Sequence, residues 1–173
     1  YQGVYNAVCH LIATGCRRIA FFGSPMHLEI SKNRFNGYKD ALLHHDIAID
    51  DSIIRICDNR IDAERSTPEL LLSHERPDAF FAINDDTAIG ILRVVKRSGL
   101  RVPEEISIFG FSDGFRAIAS DPQLTSVNQR GEIVGSEAVD ILIDEVEGKL
   151  PVDRVNKRIV KTSLVIRGTT RPL

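Results

Sequence analysis

Polar side chains follow two apolar segments of the sequence, at positions where they could bind a ligand or perform chemistry. The segment "AFFAINDD" at 79–86 ends in Asn84 and two aspartates, and "SIFGFSD" at 107–113 ends in a serine and Asp113. Adjacent carboxylates could form an acid/base pair, but a carboxylate just before a helix more commonly interacts with the helix dipole. We favour that capping role for Asp85. For Asn84, whose amide both donates and accepts, a binding role and a structural turn role are equally open.

Other signatures of catalysis and of metal binding are absent from the sequence. It contains no G-x-x-x-x-G-K-[ST], G-x-G-x-x-G, G-x-S-x-G or H-E-x-x-H motif. His44 and His45 are adjacent at the end of a predicted helix, where they cannot face each other, and no cysteine lies at ligand spacing. We therefore expect no catalytic residue, no metal ion, no cofactor and no enzymatic activity.

Composition and charge exclude several other classes of protein. The chain has 173 residues, 43% hydrophobic and 27% charged, which predicts one sizeable core rather than disorder. No stretch approaches the roughly 20 consecutive apolar residues of a membrane-spanning helix. The net charge of -2 and the scattered Lys and Arg argue against direct nucleic-acid binding by this segment. Cys9, Cys16 and Cys57 form no C-x-x-C pair and indicate free thiols in a reducing compartment, the cytoplasm.

Helical and apolar segments alternate along the chain and must position the polar tips. Apolar residues at helical spacing predict helices near 3–14, 32–45 and 131–147, and another directly after the "NDD" tip. Continuously apolar runs predict strands in "RRIAFFG", "SIIRIC", "DAFFAI" and "EISIFGF", followed by "LTSVNQ" and a last strand in "RIVKTSLVIRG". This alternation predicts an α/β fold whose parallel sheet is flanked by helices on both faces.

Two helix boundaries are open in the sequence. Pro68 in "DAERSTPELLLSH" has no backbone N–H, so either Thr67 caps a helix that starts at Pro68 or an earlier helix is kinked there. We favour the cap. The helix after the third strand has Asn84 or Asp85 as its N-cap.

The carboxyl ends of the strands are the expected ligand site. In open α/β sheets, ligands bind outside these ends, where the tripeptides "GSP", "CDN", "NDD" and "SDG" fall. Ser24 of the first and Asn59 of the second therefore join Asn84 and Asp113 as candidate binding residues.

Four stretches of the sequence resemble the LacI/GalR family of bacterial transcription regulators. They are "GVYNAVCHLIATGCRRIAFFGSP", "RFNGYKDAL", "PDAFFAINDDTAIGILRVVKRSGLRVPEEISIFGFSD" and "PQLTSVNQRGEIVGSEAVDILI", in the order and spacing of the family. The resemblance covers nearly the whole chain. It implies a type I periplasmic-binding-protein-like core, made of two similar α/β subdomains that follow a helix-turn-helix and a hinge.

The resemblance also implies how the chain divides. Residues 3–127 and 159–168 would form the C-terminal subdomain, and 130–158 would be a segment of an otherwise missing N-terminal subdomain. We therefore expect part of a longer regulator, which contacts operator DNA only through its missing N-terminal domain and forms a homodimer. The apolar stripe of the helix at 131–147 is expected to dock on this chain or on a neighbour.

An effector site between the subdomains is a further implication of the resemblance. Arg34 of "RFNGY" would donate to ligand hydroxyls, Asp113 would accept from them, and Asn84 of the N-D motif would face the same cleft. Gln129 matches a cleft-edge glutamine. Asn59 stands where the family often has an aromatic platform for a sugar. The implied effector is a sugar or sugar derivative, and the loss of the platform leaves room for a more polar or charged one.

These inferences favour an effector-binding and dimerising segment of a sugar-responsive regulator. Its mechanism would be a population shift between two orientations of the subdomains. The alternative is a periplasmic sugar-binding protein of an ABC-type uptake system, against which the unpaired cysteines argue. An α/β enzyme such as a transferase is a third possibility, but the sequence lacks a nucleophile motif and a phosphate loop.

Overall fold

The chain forms one six-stranded sheet between two layers of helices in a computed structural model that describes residues 1–173. The helices are α1 (Gln2–Ala13), α2 (Glu29–His44), α3 (Arg60–Leu72), α4 (Asp85–Arg97), α5 (Phe115–Ala119) and α6 (Gly131–Val146). The strands are β1 (Ile19–Gly23), β2 (Ile54–Ile56), β3 (Ala79–Ala82), β4 (Ser107–Ser112), β5 (Thr125–Asn128) and β6 (Ser163–Val165). The predicted α/β class and helix-flanked sheet are confirmed.

The strand order β2-β1-β3-β4-β5-β6 places a topological switch point between β1 and β3. The first five strands are parallel, as predicted. The last strand, β6, pairs antiparallel with β5 and is shorter than its apolar run suggested. The chain leaves β1 toward β2 and leaves β3 in the opposite direction, toward β4, so a crevice opens at the carboxyl ends of β1 and β3.

Aromatic side chains of the central strands fill both faces of the sheet. Phe21 and Phe81 stack with ring centroids 5.9 Å apart in the core beneath α1 and α2. Their neighbours Phe22 and Phe80 meet at 5.7 Å in the core beneath α3 and α4. Successive side chains of a strand point to opposite faces, so a sheet covered on both sides needs an apolar residue at every position. This requirement explains why the apolar runs of the sequence are uninterrupted.

Pro68 lies inside α3, so the prediction that a helix starts there is wrong. Asn59 caps α3 instead, since its side-chain oxygen accepts the backbone N–H of Asp62 at 3.0 Å. Thr67 is fully buried and donates its hydroxyl to the carbonyl of Ala63 at 2.7 Å. The helix tolerates the proline because a cap and buried packing outweigh one missing hydrogen bond.

The last long helix, α6, has no buried residue. Its partners lie in the segment that follows it: Arg158 forms ion pairs with Glu137 at 2.7 Å and with Asp144 at 3.4 Å. Docking of α6 on the sheet of this chain is not observed, because both faces of the sheet are already covered by α1 to α4. Its exposed apolar side chains are Ile133, Val134, Val139, Leu142, Ile143 and Val146. Neither α6 nor any other helix has the length and apolarity needed to cross a membrane.

Candidate ligand-binding site

The polar tips predicted from the sequence share one edge of the sheet. Ser24 follows β1, Asn59 lies beyond β2, and Asn84 lies beyond β3. Asp113 follows β4, and Gln129 follows β5. Since these five strands are parallel, their carboxyl ends meet at the same edge. The candidate site is this carboxyl edge.

Arg34 reaches the carboxyl edge from α2 and crosses the switch point. Its Nη1 donates to the carbonyl oxygen of Ile83, just beyond β3, at 2.7 Å. The guanidinium carbon lies 3.8 Å from the centroid of the Phe111 ring in β4, a cation–π contact. Desolvation by the surrounding protein lowers the pKa of Arg34 to about 10, so the side chain remains a cation at neutral pH.

The two asparagines of the carboxyl edge cap helices. The side-chain oxygen of Asn84 accepts the backbone N–H of Thr87 at 2.8 Å, which makes Asn84 and not Asp85 the N-cap of α4. Its amide nitrogen donates to the carbonyl of Asp58 at 2.7 Å and so ties β3 to the loop after β2. Asn59 donates its own amide N–H to the carboxylate of Asp62 at 2.7 Å. Both side chains therefore have a structural role in the free protein, and each keeps one N–H for a ligand.

The adjacent carboxylates after β3 have different partners and do not form an acid/base pair. Asp85 is buried and accepts the backbone N–H of Gly114 at 2.8 Å and the hydroxyl of Ser126 at 2.6 Å. Asp86 accepts the backbone N–H of Arg60 at 3.0 Å and pairs with Arg116 at 3.3 Å. Asp85 therefore connects the tip of β3 to the loop after β4 and to β5, and the N-cap role favoured for it from the sequence is wrong, since Asn84 caps α4.

The backbone turns sharply at the end of β4, where the side chains of Ser112 and Asp113 contact different partners. Both residues have positive φ, 125° and 58°. The Asp113 carboxylate lies 2.6 Å from Nη2 of Arg167 and accepts from the Asn128 amide at 2.8 Å. The Arg167 N–H bonds do not point at Asp113 Oδ1, so this contact is an ion pair without a hydrogen bond. Gln129 donates to the hydroxyl of Ser112 at 2.8 Å. Ser112 and Asp113 therefore have different partners.

Two open cavities adjoin the tip of β4, and Ser112 lines both of them. The first cavity, of 660 Å³, is also lined by Asn84 and Asp86. The second, of 550 Å³, is also lined by Asp113 and by the start of α6. Ser24 lines neither cavity, because its buried hydroxyl is hydrogen-bonded to Ser31 in α2 at 2.6 Å. The structure thus brings Asn84, Asp113 and Gln129 around Ser112, with Ser24 enclosed beneath the carboxyl edge.

Four residues of the carboxyl edge were missed or undervalued from the sequence. Ser112 and Asp85 stood in the quoted tips, but the sequence does not indicate that Ser112 lines the cavities or that Asp85 is buried. Phe111 carries a usable signal, because an aromatic residue at the end of a strand next to a switch point can support a cation. Arg167 carries none, since its partner Asp113 is distant in the sequence.

Comparison with known proteins identifies the family. Residues 8–170 match the family described as Periplasmic binding protein-like domain. Over 168 residues the chain is 34% identical to the HTH-type transcriptional regulator CelR of Thermobifida fusca, covering 95% of this chain and 48% of that protein. The chain belongs to the periplasmic-binding-protein-like domain family, as found in LacI-type transcriptional regulators. The resemblance seen in the sequence is thereby confirmed.

Other relatives of this periplasmic-binding-protein-like domain are also named as transcriptional regulators. The HTH-type transcriptional repressor CytR of Escherichia coli K12 is 33% identical over 170 residues, which are 98% of this chain and 49% of CytR. A solved complex of the regulator CelR with cellobiose superposes with a TM-score of 0.88 at 32% identity, covering 96% of this chain and 51% of that one. The domain therefore spans about half the length of the relatives that it matches.

Proposed function

We propose that this chain is the effector-binding segment of a LacI-type transcriptional regulator, and that its effector is a sugar or sugar derivative. The observation that carries the proposal is the carboxyl edge itself, where a donor-only cation, Arg34, crosses the switch point and the hydroxyl of Ser112 lies at the end of β4. Sugar hydroxyls both donate and accept, so they complement such a mixed set of groups. The match to CelR, solved with cellobiose, supports the same ligand class.

Each residue of the carboxyl edge has a proposed role. Arg34 donates to ligand oxygens, while Ser112 and Asp113 accept from ligand hydroxyls. Asn84 and Asn59 set the positions of two helix N-termini and offer their remaining N–H groups. Two further residues act indirectly, because Gln129 orients the Ser112 hydroxyl and Ser24 fixes the start of α2 under the edge.

The effector acts, in this proposal, by joining two subdomains. Residues 3–127 and 159–168 form one of them, and 130–158 belong to the other. The support is α6, which exposes apolar side chains and packs on neither face of this sheet. Effector binding in the cleft favours one relative orientation of the subdomains, and this changes the affinity of the homodimer for operator DNA. DNA binding resides outside these residues, and the regulator works in the cytoplasm.

Relatives favour the regulator over the alternatives. The matching proteins are named as transcriptional regulators and not as enzymes. The same names argue against the periplasmic sugar-binding protein of an uptake system, which shares the architecture.

A thermal-shift screen of the intact regulator against neutral and acidic sugars tests this function. The effector is expected to raise the melting temperature in proportion to the logarithm of its concentration above Kd. The same sugar should change operator binding in a gel-shift assay. Ser112→Ala should weaken both responses, and Glu104→Ala, at an exposed residue before β4 that lines neither cavity, is the control. A regulator whose melting temperature and operator affinity respond to no sugar would contradict the proposal.

A further inference from the structure

Arg34 has no counter-ion at the carboxyl edge, and we propose that the effector supplies one. The proposal is that the sugar carries an anionic oxygen group, a carboxylate or a phosphate, which pairs with the Arg34 guanidinium. It rests on the proposed function, because it assigns the chemical class of the ligand in the same site.

Arg34 keeps most of its N–H donors free of protein partners. Of its five N–H groups, only one on Nη1 has a protein acceptor, the carbonyl of Ile83. No carboxylate oxygen lies within 4.0 Å of the guanidinium, which lies over Phe111 in a half-buried position. The remaining nitrogen atoms are not sealed in the protein, since the buried polar atoms without a partner belong to His10 and Asp113. They therefore keep some contact with solvent.

The carboxylates of the carboxyl edge are paired with other residues or exposed to solvent. Asp113 is paired with Arg167, and Asp86 is paired with Arg116. Asp58 and Glu132 are unpaired, but both are exposed to solvent, which screens their charges. Arg34 is thus the half-buried charge that the protein leaves uncompensated.

The tip of β4 presents a neutral polar group to the cavities. Ser112 presents a hydroxyl at the cavities, whereas the neighbouring Asp113 carboxylate is 8% exposed and held by Arg167. A hydroxyl can donate to an anionic ligand, but a free carboxylate there would repel it. An arginine that is only partly solvated pairs strongly with planar carboxylate or phosphate oxygens, often through two parallel hydrogen bonds. A neutral hydroxyl of a sugar forms a weaker hydrogen bond with an arginine.

Calorimetric titration of the intact regulator with matched ligands tests the proposal. The neutral probes are glucose and cellobiose, and the acidic probes are gluconate, glucuronate, cellobionate and glucose 6-phosphate. We expect at least one acidic probe to bind at least about tenfold more tightly than its neutral counterpart, with a preference that shrinks at high salt. The carboxylate and phosphate probes distinguish the two sources of the charge.

Variants at Arg34 test whether this residue causes the preference for acidic sugars. Arg34→Gln should weaken the binding of acidic sugars more than that of neutral sugars, so that most of the acidic preference is lost, and Arg34→Lys should retain part of it. Arg97→Gln removes the same charge from an exposed position without ion pairs and is the matched control. Since the preference is first measured in the unmodified protein, the test does not depend on the folding of any variant.

Each outcome decides a different claim. If neutral sugars bind as tightly as acidic ones, or if the acidic preference survives Arg34→Gln, the anionic effector is refuted and the sugar-responsive regulator stands. If neither class of sugar binds, the proposed function fails together with the inference.

Discussion

The buried carboxylate of Asp85 should hold the carboxyl edge together, and removing it should destabilise the fold. Asp85 accepts from Gly114 at 2.8 Å and from Ser126 at 2.6 Å, while only 5% of the residue is exposed. A hydrogen bond to a charged group contributes about 1.5 to 3 kcal/mol. Asp85→Ala leaves both donors without a partner, so we expect a loss of at least about 3 kcal/mol in the free energy of unfolding.

Urea denaturation of the 173-residue chain measures this loss. For a slope of about 1–3 kcal/mol per M, the midpoint should fall by about 1 M or more in Asp85→Ala. Asp85→Asn keeps one acceptor oxygen and should lose less. Asp153→Ala, at an exposed aspartate, is the control and should stay within about 0.5 kcal/mol of the unmodified chain. A loss below about 1 kcal/mol in Asp85→Ala would refute the connecting role.

Two further predictions concern the same core. Gly110→Ala should destabilise by about 1–3 kcal/mol in the same assay, because a Cβ atom there would lie 2.6 Å from Asp85 Oδ1 and 2.8 Å from Leu124 Cδ2. An unchanged midpoint would contradict it. His10 is buried with its Nε2 unpaired, and desolvation lowers its pKa below the ordinary 6.5. The unfolded chain therefore takes up this proton first, so stability should fall as the pH drops below about 6.5. His10→Leu should reduce that fall in melting temperatures compared at pH 7 and pH 5, and an equal fall in both proteins would exclude His10.

The long elements were predictable because one physical pattern dominates each of them. The apolar runs of β1, β3 and β4 have no other stable place than the middle of a doubly covered sheet. The position just after a strand limited the cap of α4 to Asn84 or Asp85, and the structure shows that it is Asn84. Where local chemistry and periodicity agree, the sequence is sufficient.

The misplaced features depend on competition between local and distant effects. Pro68 is a local signal for a helix start, but the cap at Asn59 and the buried face of α3 prevail over it. The five-residue α5 is too short for a helical pattern to appear. The direction of β6 is set by pairing with β5, about which its own residues say nothing.

The candidate site could be located from the sequence but not described in detail. Parallel strands dictate that their polar tips share one edge. The sequence could not reveal that Asp113 turns toward Arg167 while Ser112 lines the cavities, because that depends on two positive φ angles. Nor could it reveal that Arg34 lies over Phe111, a contact between distant segments.

A crystal structure of the intact regulator with its effector tests the central claim most directly. We predict that the ligand lies against the carboxyl edge, with an anionic oxygen in contact with the Arg34 guanidinium and a polar group at the Ser112 hydroxyl. An effector bound elsewhere, with Arg34 still contacting only Ile83 and Phe111, would contradict the account.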